Sequence, residues 1–382
     1  MKKCVIMTLI FSFFWFFLLN KITLAFEYTL EPSLSLSEEY NDNIFLDPSD
    51  RESDFITYVS PGIDITARTI NSQLKLGYSP SFSFYSSNSE LNETAHRFSA
   101  NGNFTLSERL SLTLMDTFVK SSELSDIRTI EDLGPVTGRI ERRLHTISGS
   151  VSYRLRNNLF FTAGASYFDT DYEEPGFDEV KSYSGNTGLS YRYSERTTVS
   201  ANARYTKYDY KLDSDATGQD YTLGVIRKLT PTLTLSLTGG LIITEIEETG
   251  ESDTGFSSGV DLTKSFTRGN ATVSYRRTVI PGIESGTPIE SQTISLSLTR
   301  PMTEKFTASL SASYSNFESI EPDLEDTDET AFNTDLSYSL RPWASLALSY
   351  RYVDHNDKIF DTGDYYNHIM FLTLRLSYTK RL

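Results

Sequence analysis

Four histidines are the residues of this 382-residue chain best suited to act as a general base near neutral pH. A hydrolase would need one of them oriented beside a nucleophile or an activated water. Three of them share the apolar stripe of a predicted strand and the fourth lies in a predicted loop, so they do not converge on one site. They are His96, His145 and His368 on strands and His355 in a loop. This pattern argues against an enzyme.

Carboxylates are concentrated in two predicted loops, 319–329 and 247–253. Such clusters can bind calcium, but neither run has the spacing of a calcium-binding loop. We interpret both as solvated loops, with divalent bridging to anionic lipid or polysaccharide as the alternative, and we expect no metal centre and no cofactor. The balance of 51 acidic residues against 35 Lys and Arg also argues against nucleic acid as a partner, because its binding proteins need a basic face.

Seven basic side chains occupy the polar stripe of predicted strands, each two positions from a Ser, Thr, Asn or Gly. They are Lys75, Arg154, Arg192, Arg204, Arg276, Arg351 and Arg375. If they line an aqueous passage, they favour anions. The alternative is that they pair with carboxylates and stiffen a wall.

The first residues of the chain predict export. Two lysines precede the apolar run Val5–Leu19, and small residues end at Ala25. These are the parts of a secretory signal peptide, and the run is shorter than a membrane-spanning helix. We predict a signal peptide over residues 1–25 and a single domain over residues 26–382. Cleavage would remove Cys4, the only cysteine.

Beyond the signal peptide, apolar residues recur at every second position, which is the pattern of strands with two different faces. One such face is formed by Phe306, Ala308, Leu310, Ala312 and Tyr314, with Ser or Thr between them. The pattern predicts about eighteen strands, with sixteen as the alternative. Their predicted starts are Thr29, Asp54, Ser72, Thr94, Arg109, Arg142, Asn158, Lys181, Thr197, Gln219, Thr232, Thr254, Asn270, Glu290, Lys305, Thr330, Trp343 and Tyr365.

Short turns and long polar loops alternate along the whole series of strands. This segregation is typical of an outer-membrane barrel, and tyrosines gather near the ends of the apolar faces, where a barrel places its aromatic belts. The sequence therefore predicts an all-β fold: a transmembrane antiparallel up-and-down β-barrel in the bacterial outer membrane, with short periplasmic turns and long extracellular loops. Outer-membrane lipid and lipopolysaccharide are its expected surroundings, and the barrel-assembly machinery is an expected partner.

One charged residue conflicts with this pattern. Asp116 falls on the apolar stripe near the middle of its predicted strand, where a charge would face lipid. The conflict predicts either a β-bulge in that strand or a different register.

The stretch Glu31–Leu46 contains Pro32, an alternation of Leu and Ser, and the turn Tyr-Asn-Asp-Asn at positions 40–43. It resembles the start of a bacterial family, the putative outer-membrane β-barrel proteins that are also called putative β-barrel porins of the second type. The resemblance implies a barrel over the whole mature chain and supplies no catalytic residues. Some members are similar to proteins encoded with exopolysaccharide systems, so the resemblance also implies exopolysaccharide as a candidate partner.

The longest predicted loop, 123–141, is the third on its side and resembles by position the loop that narrows general porins. Its residues Asp126, Glu131, Asp132 and Arg139 would then form a constriction, and an exposed surface loop is the alternative. Together these features predict an outer-membrane channel for passive diffusion of hydrophilic solutes through a polar lumen. The alternatives are a component of exopolysaccharide or capsule secretion and a structural surface barrel.

Overall fold

Long antiparallel strands make up almost all of the chain that the computed structural model describes, namely residues 27–122, 140–172, 179–212, 214–248, 250, 252–282, 286–321, 324–359 and 364–382. The first nine are β1 (Glu27–Asn41), β2 (Asp54–Arg68), β3 (Ser72–Tyr85), β4 (Glu93–Ser107), β5 (Leu110–Ser121), β6 (Arg142–Arg156), β7 (Leu159–Tyr172), β8 (Val180–Ser194) and β9 (Thr197–Tyr210). The next nine are β10 (Ala216–Thr230), β11 (Leu233–Ile246), β12 (Ser252–Ser265), β13 (Asn270–Pro281), β14 (Pro288–Pro301), β15 (Phe306–Ser319), β16 (Asp326–Arg341), β17 (Ala344–Asp357) and β18 (Tyr365–Ser377), which resumes at Lys380–Arg381.

Helix is confined in this part of the chain to one 3-10 turn, Ser89–Leu91. None of the described helical structure has the length and apolar character needed to cross a membrane. The predicted signal peptide, residues 1–25, lies outside the described residues and stays a prediction.

The sheet closes on itself, because β1 pairs with β18 as well as with β2. The closing ladder runs from Ser33 opposite Ser377 to Asn41 opposite Ile369, and residues 29–30 pair with the continuation of β18. Each strand therefore has two hydrogen-bonded neighbours, which removes the exposed edges that a sheet in lipid cannot leave unpaired. The predicted eighteen-stranded up-and-down barrel is confirmed.

The two faces of each strand differ as the alternation predicts. Leu237 and Leu241 of β11 are exposed on the outward face, whereas Ile242 and Ile246, one position out of phase, are buried inside. A broad exposed apolar surface marks contact with an apolar environment, and a hydrocarbon belt around the barrel provides it. Tyrosines near both ends of the outward face are likewise exposed, among them Tyr153, Tyr191, Tyr205, Tyr314 and Tyr338.

Two strands extend further into polar sequence than predicted. β16 begins at Asp326 rather than near Thr330, so part of the acidic run belongs to a strand and not to a loop. β17 continues to Asp357, so His355, which was predicted in a loop, lies in a strand and is buried on its inward face. Both errors have the same cause. In each strand the residues nearest the long loop are polar, so the apolar alternation covers only the rest of the strand.

Asp116 faces outward, and neither predicted explanation holds. The ladders of β5 show no register shift near it, and it lies opposite Ala100 and Ile147. His145 on β6 faces the same way, with its Nε2 2.9 Å from Asp116 Oδ1. The ring of Phe118 packs edge-on against His145, with centroids 6.0 Å apart. The outward carboxylate is therefore tolerated because it has a partner.

Removing one member of this pair should destabilise the barrel more than replacing both. Asp116→Ala strips His145 of its hydrogen-bond partner, which should lower the free energy of unfolding by about 1–3 kcal/mol. Asp116→Leu combined with His145→Leu instead creates an ordinary apolar surface and should be close to the wild type. Urea unfolding in phospholipid vesicles measures the free energy of both variants, and a double variant less stable than Asp116→Ala would contradict the pairing.

Candidate functional site

The inward face is polar over the half of the barrel next to the short turns. On β15 it presents Thr307, Ser309, Ser311, Ser313 and Ser315 in succession. Neighbouring inward hydroxyls form hydrogen bonds across strands. For example, Ser315 Oγ lies 2.9 Å from Thr293 Oγ1 on β14. Such a wall is wetted by water and offers dissolved solutes many groups to hydrogen-bond.

At the long-loop end the inward face gains many apolar and aromatic side chains among buried polar ones such as Arg142 and Thr170, which differs from the polar lumen that the sequence predicted. The side chains at this level are all less than 10% exposed. They include Ile56, Tyr58, Tyr85, Val119, Leu144, Tyr172, Val180, Tyr208, Ile242, Ile280, Ile289, Phe317, Val353 and Tyr365. We call this set the apolar layer. The interior is therefore polar and open towards the short turns and filled by buried side chains, many of them apolar, towards the long loops.

The first long loop, residues 42–53 and called L1 below, folds into the apolar layer. Ile44 is fully buried in a cluster with residues of β2 and β3, and Leu46 is 4% exposed in a cluster with residues of β5, β6, β17 and β18. Strands β1–β4 separate β5 from β18 around the wall, so contact with both requires L1 to cross the opening. The backbone of Leu46 has φ 58°, a left-handed value that few non-glycine residues adopt.

Polar contacts fasten L1 to β18. Asp42 Oδ1 accepts a hydrogen bond from the backbone N–H of His368 at 2.8 Å, and Asp42 Oδ2 forms an ion pair with Arg51. The guanidinium of Arg51 lies 3.8 Å from the ring centroid of Tyr366, within the range of a cation–π contact. These contacts hold both ends of L1 against the same strand.

Carboxylates also organise the backbone of the loops. The backbone N–H groups of Asp50 and Ser49 donate to Asp47 and lower the pKa of its carboxyl below the ordinary value, so Asp47 stays ionised and keeps this turn of L1 at neutral pH. Asp54 accepts hydrogen bonds from the backbone N–H groups of residues 87–88 and fixes the second long loop. Ionised acceptors make strong hydrogen bonds of this kind.

Below the apolar layer, the wall from β6 to β13 encloses a polar cavity of about 560 Å³. Arg204, Asp220, Asp261 and Arg276 line it among Ser and Thr hydroxyls. Arg204 and Asp220 are direct cross-strand neighbours. Among the described residues, neither guanidinium makes a hydrogen bond or an ion pair, and Asp220 Oδ1 has no hydrogen-bond partner. Both guanidinium groups are exposed to the lumen and are therefore available to a solute, whereas Asp220 Oδ1 is buried.

The seven predicted lumen residues lie on the inward face at two levels. Arg204, Arg276 and Arg351 lie further from the short turns than Lys75, Arg154, Arg192 and Arg375 do. Lys75 pairs with Asp64 at 3.1 Å, as the alternative of carboxylate pairing predicted, and Arg351 Nε donates to Asn333 Oδ1 at 2.8 Å. Because the seven do not share a level, they do not form one ring of charge. Their role in solute passage stays a prediction.

The predicted constriction residues Asp126, Glu131, Asp132 and Arg139 lie outside the described residues, so the role of the third loop stays a prediction. The sequence analysis missed L1 as a loop that narrows the lumen. A signal for it exists in positions 44–46, where Ile-Phe-Leu is an unusual apolar triplet for an extracellular loop.

Three histidines face outward, each with its own neighbour. The pairs are His96 with Tyr78, His145 with Asp116, and His368 with Tyr350. His355 instead stacks on Tyr365 in the apolar layer, with ring centroids 4.8 Å apart. Across the described ranges, no group of three His, Cys, Asp or Glu side chains is placed to hold a metal ion.

A closed eighteen-stranded barrel with an apolar outward belt, bordering tyrosines and a partly polar interior is a transmembrane β-barrel of the bacterial outer membrane. The family model described as "Putative beta-barrel porin 2" matches residues 25–132, which run from β1 through β5 into the third loop. The resemblance carried by Glu31–Leu46 is thereby confirmed for this part of the chain. No curated protein matches the sequence significantly.

Solved outer-membrane proteins share the architecture over most of the chain. The outer membrane protein OpdK of Pseudomonas aeruginosa aligns with a TM-score of 0.50 and 11% identity, covering 91% of this chain and 99% of OpdK. OccAB4 of Acinetobacter baumannii aligns at 0.52 and 12%, covering 95% and 100%. OccK2 (OpdF) of P. aeruginosa, solved in complex with glucuronate, aligns at 0.52 and 9%, covering 92% and 98%. At these identities the likeness is one of fold.

Shortening L1 should admit water to the apolar layer. We expect that Val353→Cys, in a Cys4→Ser background, reacts slowly with a membrane-impermeant maleimide while L1 is intact, because Leu46 shields it. Replacing residues 43–50 by a short Gly-Ser linker should speed the reaction. Ser309→Cys, on the polar part of the inward face, is the matched control and should react equally in both forms. Unchanged labelling of Val353→Cys after the replacement would show that L1 does not cover the layer.

Proposed function

We propose that this barrel is a channel through which small hydrophilic solutes diffuse passively across the outer membrane. The observation that carries the proposal is the polar and charged inward face that rises from the short turns to the cavity beside Arg204 and Arg276. Small eight-stranded barrels are filled by their own side chains, whereas barrels of about sixteen to eighteen strands leave room for water. An interior built mainly to stabilise the wall would not need unpaired guanidinium groups.

The cavity has the chemistry of a weak, transient contact for solutes. Guanidinium groups bind carboxylates and phosphates in a forked geometry, so Arg204 and Arg276 favour anionic solutes. Asp220 and Asp261 stand beside them and offset part of that attraction. Conduction needs binding that is favourable enough for entry and weak enough for exit, and this mixed charge satisfies both requirements. The hydroxyl-rich wall adds hydrogen bonds that any polar solute can exchange for water.

L1 supplies the size limit in this proposal. It replaces water with the side chains of Ile44 and Leu46 at the long-loop end of the lumen. Apolar constrictions also gate by excluding water. A solute could therefore pass the long-loop end of the lumen only if it is small or if L1 moves aside.

Glucuronate is a suitable probe solute. OccK2, which has the same fold, was crystallised with it, and it combines a carboxylate with several hydroxyls. That combination suits a cavity of guanidinium and hydroxyl groups, which supports its use here.

Planar-bilayer recording of the refolded, purified barrel tests the proposal. We expect discrete ion-conducting steps, and glucuronate added in millimolar amounts should reduce the current. A correctly folded barrel that carries no current would overturn the channel and favour a structural surface barrel. Loss of exported polymer in a deletion strain, together with absent conductance, would favour exopolysaccharide secretion instead.

Removing the two cavity arginines should shift ion selectivity toward cations. Arg204→Gln combined with Arg276→Gln leaves Asp220 and Asp261 as the charges in the cavity, so the reversal potential in a KCl gradient should move in the cation-selective direction. Arg143→Gln is the matched control, because Arg143 faces outward and is paired with Asp171. An equal shift in the control, or none in the double variant, would show that the cavity does not set selectivity.

A further inference from the structure

The charges of this acidic protein are segregated along the barrel axis. We define the periplasmic rim as the eight short turns with the four residues on either side of each, together with residues 27–30 and 375–382. The rim contains seventeen Lys and Arg residues but four Glu and no Asp, in a chain whose formal net charge is −16. The basic residues are Arg68, Lys75, Arg109, Arg154, Arg156, Arg192, Arg196, Arg227, Lys228, Lys264, Arg268, Arg300, Lys305, Arg341, Arg375, Lys380 and Arg381.

The rim cations differ from the other cations in having almost no acidic partners. Within the described residues, the rim's ion pairs are those of Lys75 with Asp64 and of Arg381 with Glu27. Away from the rim, carboxylates neutralise cations repeatedly. Such pairs are Arg51–Asp42, Lys120–Glu141, Arg143–Asp171, Lys207–Asp215, Lys211–Glu179, Arg277–Glu290 and Lys358–Asp326. A dense ring of like charges with so few internal counter-charges needs anions from outside the chain to offset its self-repulsion.

Three rim cations face outward at the ends of descending strands, just beyond the apolar belt. Arg227, Lys264 and Arg300 each follow an exposed apolar residue two positions earlier on a strand that descends to the short turns. The residues that precede them are Val225, Leu262 and Leu298. Long basic side chains at this position extend towards the polar headgroup region while their stems stay on the apolar surface. Trp343, half-exposed in a neighbouring short turn, marks the same interface.

We propose that the periplasmic rim binds the anionic headgroups of phospholipids in the periplasmic leaflet, with Arg227, Lys264 and Arg300 as the residues that contact them. A phosphate at this level meets guanidinium and ammonium groups that have no carboxylate partner, and it accepts their hydrogen bonds. The acidic long loops carry the opposite charge, so this interaction also favours one orientation of the barrel in the membrane. The proposal is independent of whether the lumen conducts.

Native mass spectrometry of the purified full-length barrel in detergent tests this assignment. Phosphatidylglycerol and phosphatidylcholine with the same acyl chains are the two probes. The wild type should retain phosphatidylglycerol in preference to phosphatidylcholine, and added salt should reduce the preference. Each basic residue near an anionic lipid surface contributes about fivefold in affinity, so the triple variant Arg227→Gln, Lys264→Gln, Arg300→Gln should lose at least about tenfold of the preference.

The matched control is the triple variant Arg154→Gln, Arg192→Gln, Arg375→Gln, which removes the same charge from the inward side of the rim. It should keep the preference for phosphatidylglycerol. Heat-modifiable migration in electrophoresis confirms that each variant is folded. Equal retention of both lipids by the wild type would overturn the proposal. Loss of the preference in the inward variant but not in the outward one would also overturn it and would place the anion site at the mouth of the lumen.

Discussion

The need to pair every backbone N–H and C=O group inside a hydrocarbon layer governs the whole structure. Lipid tails offer no hydrogen bonds, so an open sheet edge is too unfavourable to persist there, and closure is the solution available to strands. The ladder between β1 and β18 provides that closure. Once the sheet is closed, each strand must face lipid on one side and the lumen on the other. The alternation of side chains, the outward apolar belt and the polar interior follow from this one requirement.

Carboxylates have a structural role at the long-loop end that the net charge does not suggest. Asp42, Asp47 and Asp54 accept hydrogen bonds from backbone N–H groups, and these bonds fix the first two loops. Loops outside a barrel wall cannot rely on strand pairing to satisfy their backbone, so carboxylate acceptors substitute for it in these two loops. Part of the acidic excess is therefore part of how these two loops fold, and the basic residues gather at the opposite end, where turns of two to four residues have little backbone to satisfy.

The strands could be predicted closely from sequence because their signals are local. The predicted starts Ser72, Arg142, Thr197 and Tyr365 coincide with those of β3, β6, β9 and β18. Alternation assigns each side chain to a face, and short turns fix the ends. What could not be predicted is the chemistry that results when distant strands meet across the lumen. The apolar layer and the inward course of L1 depend on contacts between residues far apart in sequence.

The candidate site likewise has one part that follows from local sequence patterns and another that depends on contacts between distant strands. The placement of Arg204 and Arg276 on the inward face follows from parity and was predictable. Their cavity, and the proximity of Arg204 to Asp220, depend on the register between β9 and β10.

The β1–β18 ladder joins residues such as Ser37 and Thr373, which are 336 positions apart. Bringing such distant segments together carries a large loop-closure entropy, so the last strand must arrive before the first can complete its pairing. Until the β1–β18 ladder forms, the sheet has two unpaired edges, so closure of this one seam completes the backbone hydrogen bonding of the whole barrel at once.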